Sequence, residues 1–195
     1  MTVLYLIRHG QTDWNLQGRY TGQSDIPLNA TGEQQARAAA AQLAGVKLDA
    51  IVASDLQRAR RTAEIIAARM GLPVQTDPRL REIHQGVWEG MHFAEIKTHY
   101  EEAFQRRKRN PLGVAPPGGE TVGQVQKRVL AALRDICAQY PHQQVAVVSH
   151  GLALAIIKAS LSGHPIQRVW ELIPPNAQVE RLPMGCEDRP RPGGV

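Results

Sequence analysis

Two stretches of this 195-residue chain run from apolar residues straight into a histidine and a glycine. Val3-Leu4-Tyr5-Leu6-Ile7 is followed by Arg8-His9-Gly10, and Val145-Ala146-Val147-Val148 by Ser149-His150-Gly151. A third run, residues 50–53, ends in Ser54-Asp55 and leads to Arg58, Arg60 and Arg61. Taken alone, an Arg-His-Gly reads as an exposed strand end whose glycine makes a turn. Two imidazoles and several guanidiniums gathered in one place would instead suit an oxyanion. Arginine offers a planar fork for bidentate contact with phosphate. A helix start offers unpaired N–H groups. A neutral imidazole can attack phosphorus and carry the phosphoryl group covalently. A metal is the competing use of paired histidines. Neither histidine has a carboxylate or cysteine at ligand spacing, and clustered arginines repel a cation, so no metal and no cofactor are expected.

Such a cluster forms only if the surrounding elements bring the junctions together. The apolar run predicts a strand over residues 3–7. A long polar loop, "GQTDWNLQGRYTGQSDIPLNATG", follows, of the kind that binds ligands in compact domains. Thr31 and Gln34 form a capping-box signature, which predicts a helix over residues 32–43. A second strand is expected over residues 50–53, then a helix across "DLQRARRTAEIIAARM". That helix turns Leu56, Ala59, Ala63, Ile66 and Ala67 inward and stops at Gly71. "LPVQT" reads as a short strand, "HFAEIKTHYEEAFQRRK" as helical and "NPLGVAPPGGET" as loop. Residues 121–140 have helical spacing through Val125, Val129, Leu133 and Ile136. "QQVAVVSH" reads as a strand, "GLALAIIKASLSG" as a buried helix and "AQVERL" as an edge strand. This alternation predicts a three-layer α/β/α sandwich with a mainly parallel central sheet. One domain is expected over residues 1–183, with 184–195 as a flexible tail. Ligands in such sheets bind beyond the carboxyl ends of strands. The two strand-His-Gly junctions therefore share an edge if their strands are neighbours.

Bulk properties narrow the class. A hydrophobic fraction of 43% and a charged fraction of 21% are those of a globular chain. Two cysteines, Cys137 and Cys186, lie far apart, which fits neither a disulfide scaffold nor a zinc ribbon and suits a reducing compartment. No apolar run reaches spanning length and none has the layout of a signal peptide, so a cytoplasmic protein without membrane contact is expected. The net charge of +5 fits anionic small molecules. Basic density peaks at "QRRKRN", residues 105–110, which reads as a solvated helix end. No aromatic residues interleave with those charges as stacking platforms, so nucleic acid is not an expected partner.

"LIRHGQTDWN", "YTGQSDIPLNATG", "SDLQRARRTA", "LREIHQGVWEG", "PPGGET" and "VVSHG" occur in the order found in the histidine phosphatase superfamily. The chain resembles its phosphoglycerate-mutase-like branch over approximately residues 2–182. The resemblance implies that His9 is the nucleophile and becomes phosphohistidine. It implies that Arg8, Arg58 and His150 clamp the transferring phosphoryl group and that Asn15 touches it. Gln11 and Thr12 add polar contacts or shape the loop, and Gly22 and Gln23 match a stretch that lines the substrate side. Gly151 joins the phosphate-binding set at the helix start after His150. Glu82 matches the family's acid–base carboxylate; without the motif it would read as an exposed loop glutamate. Glu89 reads as closing a loop. His84, His92, His99, His142 and His164 read as surface or packing residues.

The resemblance carries two chemistries: hydrolysis of phosphate monoesters, or transfer between positions on phosphoglycerate. The mutases imply a longer insertion after the Glu82 region, with an arginine pair that holds the substrate carboxylate. This chain is short there and resembles the phosphatase members. A phosphoric monoester hydrolase acting on a small phosphorylated metabolite is expected. A mutase is the alternative, and a non-catalytic binding protein on the same fold the lower one. Homodimers are common among such relatives, but no patch in the sequence is assigned to one.

Overall fold

In the computed structural model, residues 1–184 are described. Five strands form one sheet in the order β3-β2-β4-β1-β5. They are β1 (Thr2–Arg8), β2 (Ala50–Ala53), β3 (Val74–Thr76), β4 (Gln144–Ser149) and β5 (Val179–Met184). β1 to β4 run parallel, and β5 joins the edge antiparallel to β1. The predicted three-layer architecture is what forms, because the central strands are apolar on both faces. Leu4 and Leu6 of β1, Ala50 and Val52 of β2, and Val145 and Val147 of β4 point to one core. There they meet α6 (Val122–Gln139) and α7 (Gly151–Ser162), through residues such as Val125, Leu133 and Leu154. The alternate residues Tyr5, Ile7, Ile51, Ala53, Ala146 and Val148 point to the other core. That core is closed by α2 (Ala30–Gln42) and α3 (Gln57–Met70), which pack through Ala39, Ala40, Ala59, Ala63 and Ile66.

Local departures from the sequence expectations have local causes. α2 begins two residues before the expected start because Asn29, not Thr31, caps it, accepting the Gly32 N–H at 2.9 Å. The long first loop contains a short helix, α1 (Asp13–Gln17), closed by a capping box between Thr12 and Asn15 and ended by Gly18 in the left-handed region. The segment expected as one helix is two, α4 (Phe93–His99) and α5 (Glu101–Arg109), because Tyr100 leaves helical geometry at φ −134°. The edge strand runs past Leu182: Met184 is buried and lies opposite Thr2, so the expected boundary at 183/184 falls inside β5. The remainder of the expected tail, 185–195, lies outside the described residues.

One glycine pair deserves its place by contact. A Cβ on Gly10 would lie 2.3 Å from the Gly32 carbonyl oxygen, and one on Gly32 would lie 2.1 Å from the Gln11 carbonyl oxygen. Gly10 was expected to let the backbone turn. Its role is instead close approach, which seats the loop after His9 directly on the first turn of α2.

Candidate active site

β1 and β4 are parallel neighbours in a register that sets Arg8 opposite Ser149. His9 and His150, each one residue beyond its strand, are therefore brought side by side, with ring centroids 5.1 Å apart. β2 lies on the other side of β4, and Ser54, just past its end, stands 2.8 Å from His150 Nε2 through its Oγ. Arg58, in the first turn of α3, is 1% exposed and turns toward these strand ends. Its Nη2 donates to the Gly22 carbonyl at 2.7 Å and its Nη1 to the Ser24 carbonyl at 2.8 Å. Arg60 and Arg61 point outward to Glu64 and Glu33. Arg8 Nη1 donates to the Pro174 carbonyl at 2.7 Å. Its guanidinium lies beside α7, where a Cβ on Gly151 would sit 3.5 Å from Arg8 Nε.

A hydrogen bond to a carbonyl assigns the His9 proton. His9 Nδ1 donates to its neighbouring Gly10 carbonyl at 2.7 Å, which leaves the Nε2 lone pair free. Ser54 Oγ accepts the Leu56 N–H at 3.4 Å and lies 2.8 Å from His150 Nε2, a contact in which either group can donate. Arg8 Nε and Arg58 Nε are buried donors with no partner, and His150 Nδ1 is a buried ring nitrogen with none. Buried polar groups are almost always paired. Two guanidiniums that act on the His9 charge, each with a free Nε–H, and the His150 ring beside it form a set that suits an oxyanion.

Burial first, and then the neighbouring positive charges of Arg58 and Arg8, push the His9 imidazole well below its ordinary 6.5. His150 is pushed the same way, by burial and then by Arg58. Arg58 itself, lowered to about 10 by burial and supported by Glu82, remains a cation at neutral pH. The site thus holds two neutral imidazoles and two cations. Because both histidines are depressed, the unfolded chain takes up their protons first as pH falls below about 6.5. Stability of the ligand-free protein should hold above pH 7 and fall between pH 6.5 and 5, by up to about 1.4 kcal/mol per pH unit for each histidine. Denaturant unfolding at a series of pH values measures this, and a flat profile from pH 8 to 5 would contradict the buried neutral assignment.

Glu82 reaches the same edge from the loop after residues 78–80. Its Oε2 accepts the Leu152 N–H at 3.1 Å, and its Oε1 accepts Ala153 N–H at 3.3 Å and Ile83 N–H at 2.9 Å. The carboxylate is therefore seated on the first turn of α7, next to the His150 junction. Its backbone is clamped from behind. Arg128 of α6 donates to the carbonyls of Arg79, Arg81 and Glu82 at 2.8, 2.6 and 2.8 Å, and to both oxygens of Glu120. Gln23 Nε2 also donates to the Glu82 carbonyl, at 3.1 Å.

The other expected site residues divide. Gln11 is bound to α2: its N–H donates to Gln35 and its Oε1 accepts from Asn29. Thr12 is fully buried and caps α1. Both shape the loop. Asn15 commits its Oδ1 to the Thr12 N–H and to Asn176 Nδ2, while its Nδ2 makes no hydrogen bond among the described residues. Gly22 adopts φ +54° with Glu89 packed where a side chain would project, and Gln23 N–H donates to that same Glu89 at 2.9 Å. Glu89 thus closes the loop, as expected. Ser54, Asn176, Arg128 and Glu120 carry no expected role. Asn176 donates to the His9 carbonyl at 3.0 Å from 167 residues away, a pairing with no signal in local spacing. Among the described residues, no group of three or more His, Cys, Asp or Glu is placed to hold a metal ion. None of their helices is long and apolar enough to cross a membrane.

A three-layer sheet that delivers two histidines and two arginines to one edge defines a class. The chain belongs to the histidine phosphatase superfamily (branch 1), whose sequence profile matches residues 4–189. It is 40% identical over 184 residues to the "Probable phosphoglycerate mutase GpmB" of Enterobacter sp. (strain 638), covering 93% of this chain and 85% of that one. Among solved structures it is similar to Bacillus stearothermophilus YhfR, with a TM-score of 0.87 and 36% identity over 95% of this chain and 92% of that one. It is also similar to the mycobacterial glucosyl-3-phosphoglycerate phosphatase Rv2419c complexed with VO3, with a TM-score of 0.84 and 35% identity over 93% and 90% of the two chains.

Proposed function

We propose that this protein is a phosphomonoesterase that hydrolyses small phosphorylated metabolites through a phosphohistidine on His9. The observation that supports it most is the trio of buried nitrogens without a partner, Arg8 Nε, Arg58 Nε and His150 Nδ1, on the side chains that neighbour His9, whose Nδ1 is committed to the Gly10 carbonyl. Phosphoryl oxygens would accept from both arginine nitrogens and from His150 Nδ1, which carries the ring proton when Ser54 donates to Nε2, with Asn15 Nδ2 as a fourth donor. The two cations offset the charge that grows on the equatorial oxygens as the ester bond breaks. His9 Nε2 forms the new bond to phosphorus as the alkoxide leaves in line, and Glu82 delivers a proton to that oxygen. Glu82 then takes a proton from water, which attacks phospho-His9 and frees inorganic phosphate. The similarity to a glucosyl-3-phosphoglycerate phosphatase supports hydrolysis.

A mutase is the second reading, favoured by the similarity to a probable phosphoglycerate mutase. Against it stands the short segment between Glu82 and Glu120, occupied by α4 and α5. A cytoplasmic setting is part of the same proposal, resting on the sparse cysteines. The test is a phosphate-release screen across sugar phosphates, nucleotides, α-ribazole phosphate and phosphoglycerates in the presence of EDTA. Release of phosphate in chelator is the expected result. A reaction that instead interconverts 3- and 2-phosphoglycerate when 2,3-bisphosphoglycerate is added, with little phosphate released, would replace the phosphatase by the mutase.

A further inference from the structure

His150 is fully buried, and burial, followed by the charge of Arg58, keeps its ring neutral at neutral pH. A neutral imidazole carries one N–H, and the nitrogen that bears it decides what the ring offers a ligand. Nε2 lies 2.8 Å from Ser54 Oγ, and Nδ1 has no partner.

Ser54 is also fully buried, one residue beyond β2. Its N–H donates to the Val148 carbonyl of β4 at 2.9 Å, which carries the β2–β4 ladder on toward His150. Its Oγ accepts the Leu56 N–H at 3.4 Å, so the hydroxyl hydrogen is the part that still needs an acceptor. Among the described residues the hydroxyl bonds to no acceptor other than His150 Nε2.

The other side of the ring has been emptied of donors. His150 is the N-cap of α7, a position from which a side-chain acceptor takes the N–H of the second or third helical residue. Those residues are Leu152 and Ala153, and both N–H groups go to the Glu82 carboxylate, so the His150 ring makes no cap bond. With the proton on Nε2, the ring would donate to Ser54, and both the serine hydroxyl hydrogen and the Nδ1 lone pair would be left unpaired. With the proton on Nδ1, Ser54 donates to Nε2, and the Nδ1–H alone is left over. Buried polar groups without partners are costly, so the second arrangement is the more stable.

We propose that Ser54 is the positioning residue that fixes His150 as its Nδ1–H tautomer, so that the ring gives a hydrogen bond to the bound oxyanion. The opposite tautomer would set a nitrogen lone pair against the lone pairs of that oxyanion. Ser54 acts through His150 and touches no substrate. The inference rests on the phosphomonoesterase reading for the identity of the oxyanion, and on the hydrogen bonds alone for the protonation of the ring.

Nitrogen-15 NMR of the imidazole reads the tautomer directly. In phosphate-free wild type, in mildly alkaline buffer, His150 should show a protonated Nδ1 and an unprotonated Nε2. Loss of those signals in His150→Asn identifies them among the seven histidines. Ser54→Ala should shift the proton toward Nε2 and weaken orthophosphate binding about tenfold, the value of one charge-assisted hydrogen bond. Ser54→Thr, which keeps the hydroxyl, should keep the proton on Nδ1. A wild-type ring protonated at Nε2 would overturn the assignment with no variant needed. So would a Ser54→Ala ring with its proton still on Nδ1, an unchanged phosphate affinity in that variant, or an Nε2–H ring in Ser54→Thr. None of these measurements needs turnover. If ring and phosphate behave as expected while no ester is hydrolysed, the phosphomonoesterase reading fails and the role of Ser54 stands.

Discussion

His9→Ala should lower phosphate release by about four orders of magnitude or more while leaving the anion pocket able to bind. The substitution removes the proposed nucleophilic lone pair and touches none of the unpartnered nitrogens of Arg8, Arg58 and His150. Arg8 stays tied to Pro174, Arg58 to Gly22 and Ser24, and His150 to Ser54. Phosphate or vanadate should therefore still bind the variant, as calorimetry can read, even though turnover is gone. Arg58→Ala should differ, losing both, because it removes a buried cation that also fastens the Gly22 loop. One side effect follows from the depressed imidazole. His9→Ala should lessen the acid sensitivity of the ligand-free fold by up to about 1.4 kcal/mol per pH unit, since one buried neutral histidine no longer has to be kept unprotonated. A variant that retains more than a per cent of wild-type turnover would remove His9 from the nucleophile's role.

The second large effect belongs to Glu82→Gln. A carboxyl that protonates the departing oxygen contributes about 10²- to 10⁴-fold, and the share depends on how much the leaving group needs the proton. Alkyl phosphates should lose the most, because an alkoxide is a poor leaving group. p-Nitrophenyl phosphate should lose little in the first step, because its phenolate departs without help. The second step still needs a base to deprotonate water. The variant should therefore show a burst of p-nitrophenol followed by slow turnover, as the phosphoenzyme accumulates. Glutamine is nearly isosteric and keeps one acceptor oxygen for the first turn of α7, where glutamate uses two against Leu152, Ala153 and Ile83. Equal losses for alkyl and p-nitrophenyl esters, with no burst, would show that Glu82 acts by holding the loop and not by moving a proton.

What could be seen in the sequence depended on how local its cause is. Strand β2 and the stop of α3 at Gly71 follow from a short apolar run and a left-handed glycine, and both form where expected. The pairing of the two His-Gly junctions needed only that β1 and β4 be neighbours, and their register supplies the rest. The helix cap at Asn29 was missed because Thr31 and Gln34 offer an equally good local pattern, and the choice is made by the contact of Gly32 with Gly10 and Gln11. The break at Tyr100 has no glycine or proline to announce it.

The site divides along the same line. His9, His150 and Arg58 sit at strand ends or in a helix's first turn, so topology alone delivers them. Gln11 and Thr12 share their motif but are spent on capping and loop packing, a distinction visible only once their partners are placed. Arg128 and Asn176 act across 46 and 167 residues on the backbones of Glu82 and His9. No linear spacing encodes such a contact. The basic run around Arg107 shows the limit most plainly. Four adjacent cations look alike in sequence, and only burial between Trp88 and Trp170 sets one apart.

The central claim is that the phosphoryl group passes through His9 Nε2. It is tested most directly by quenching the Glu82→Gln enzyme in alkali during turnover of p-nitrophenyl phosphate and mapping the phosphate by mass spectrometry. The account predicts an alkali-stable, acid-labile phosphate on the peptide containing His9, approaching one per chain and absent when His9→Ala is added. Phosphate on another residue, or sustained turnover with no phosphopeptide at any quench time, would contradict it.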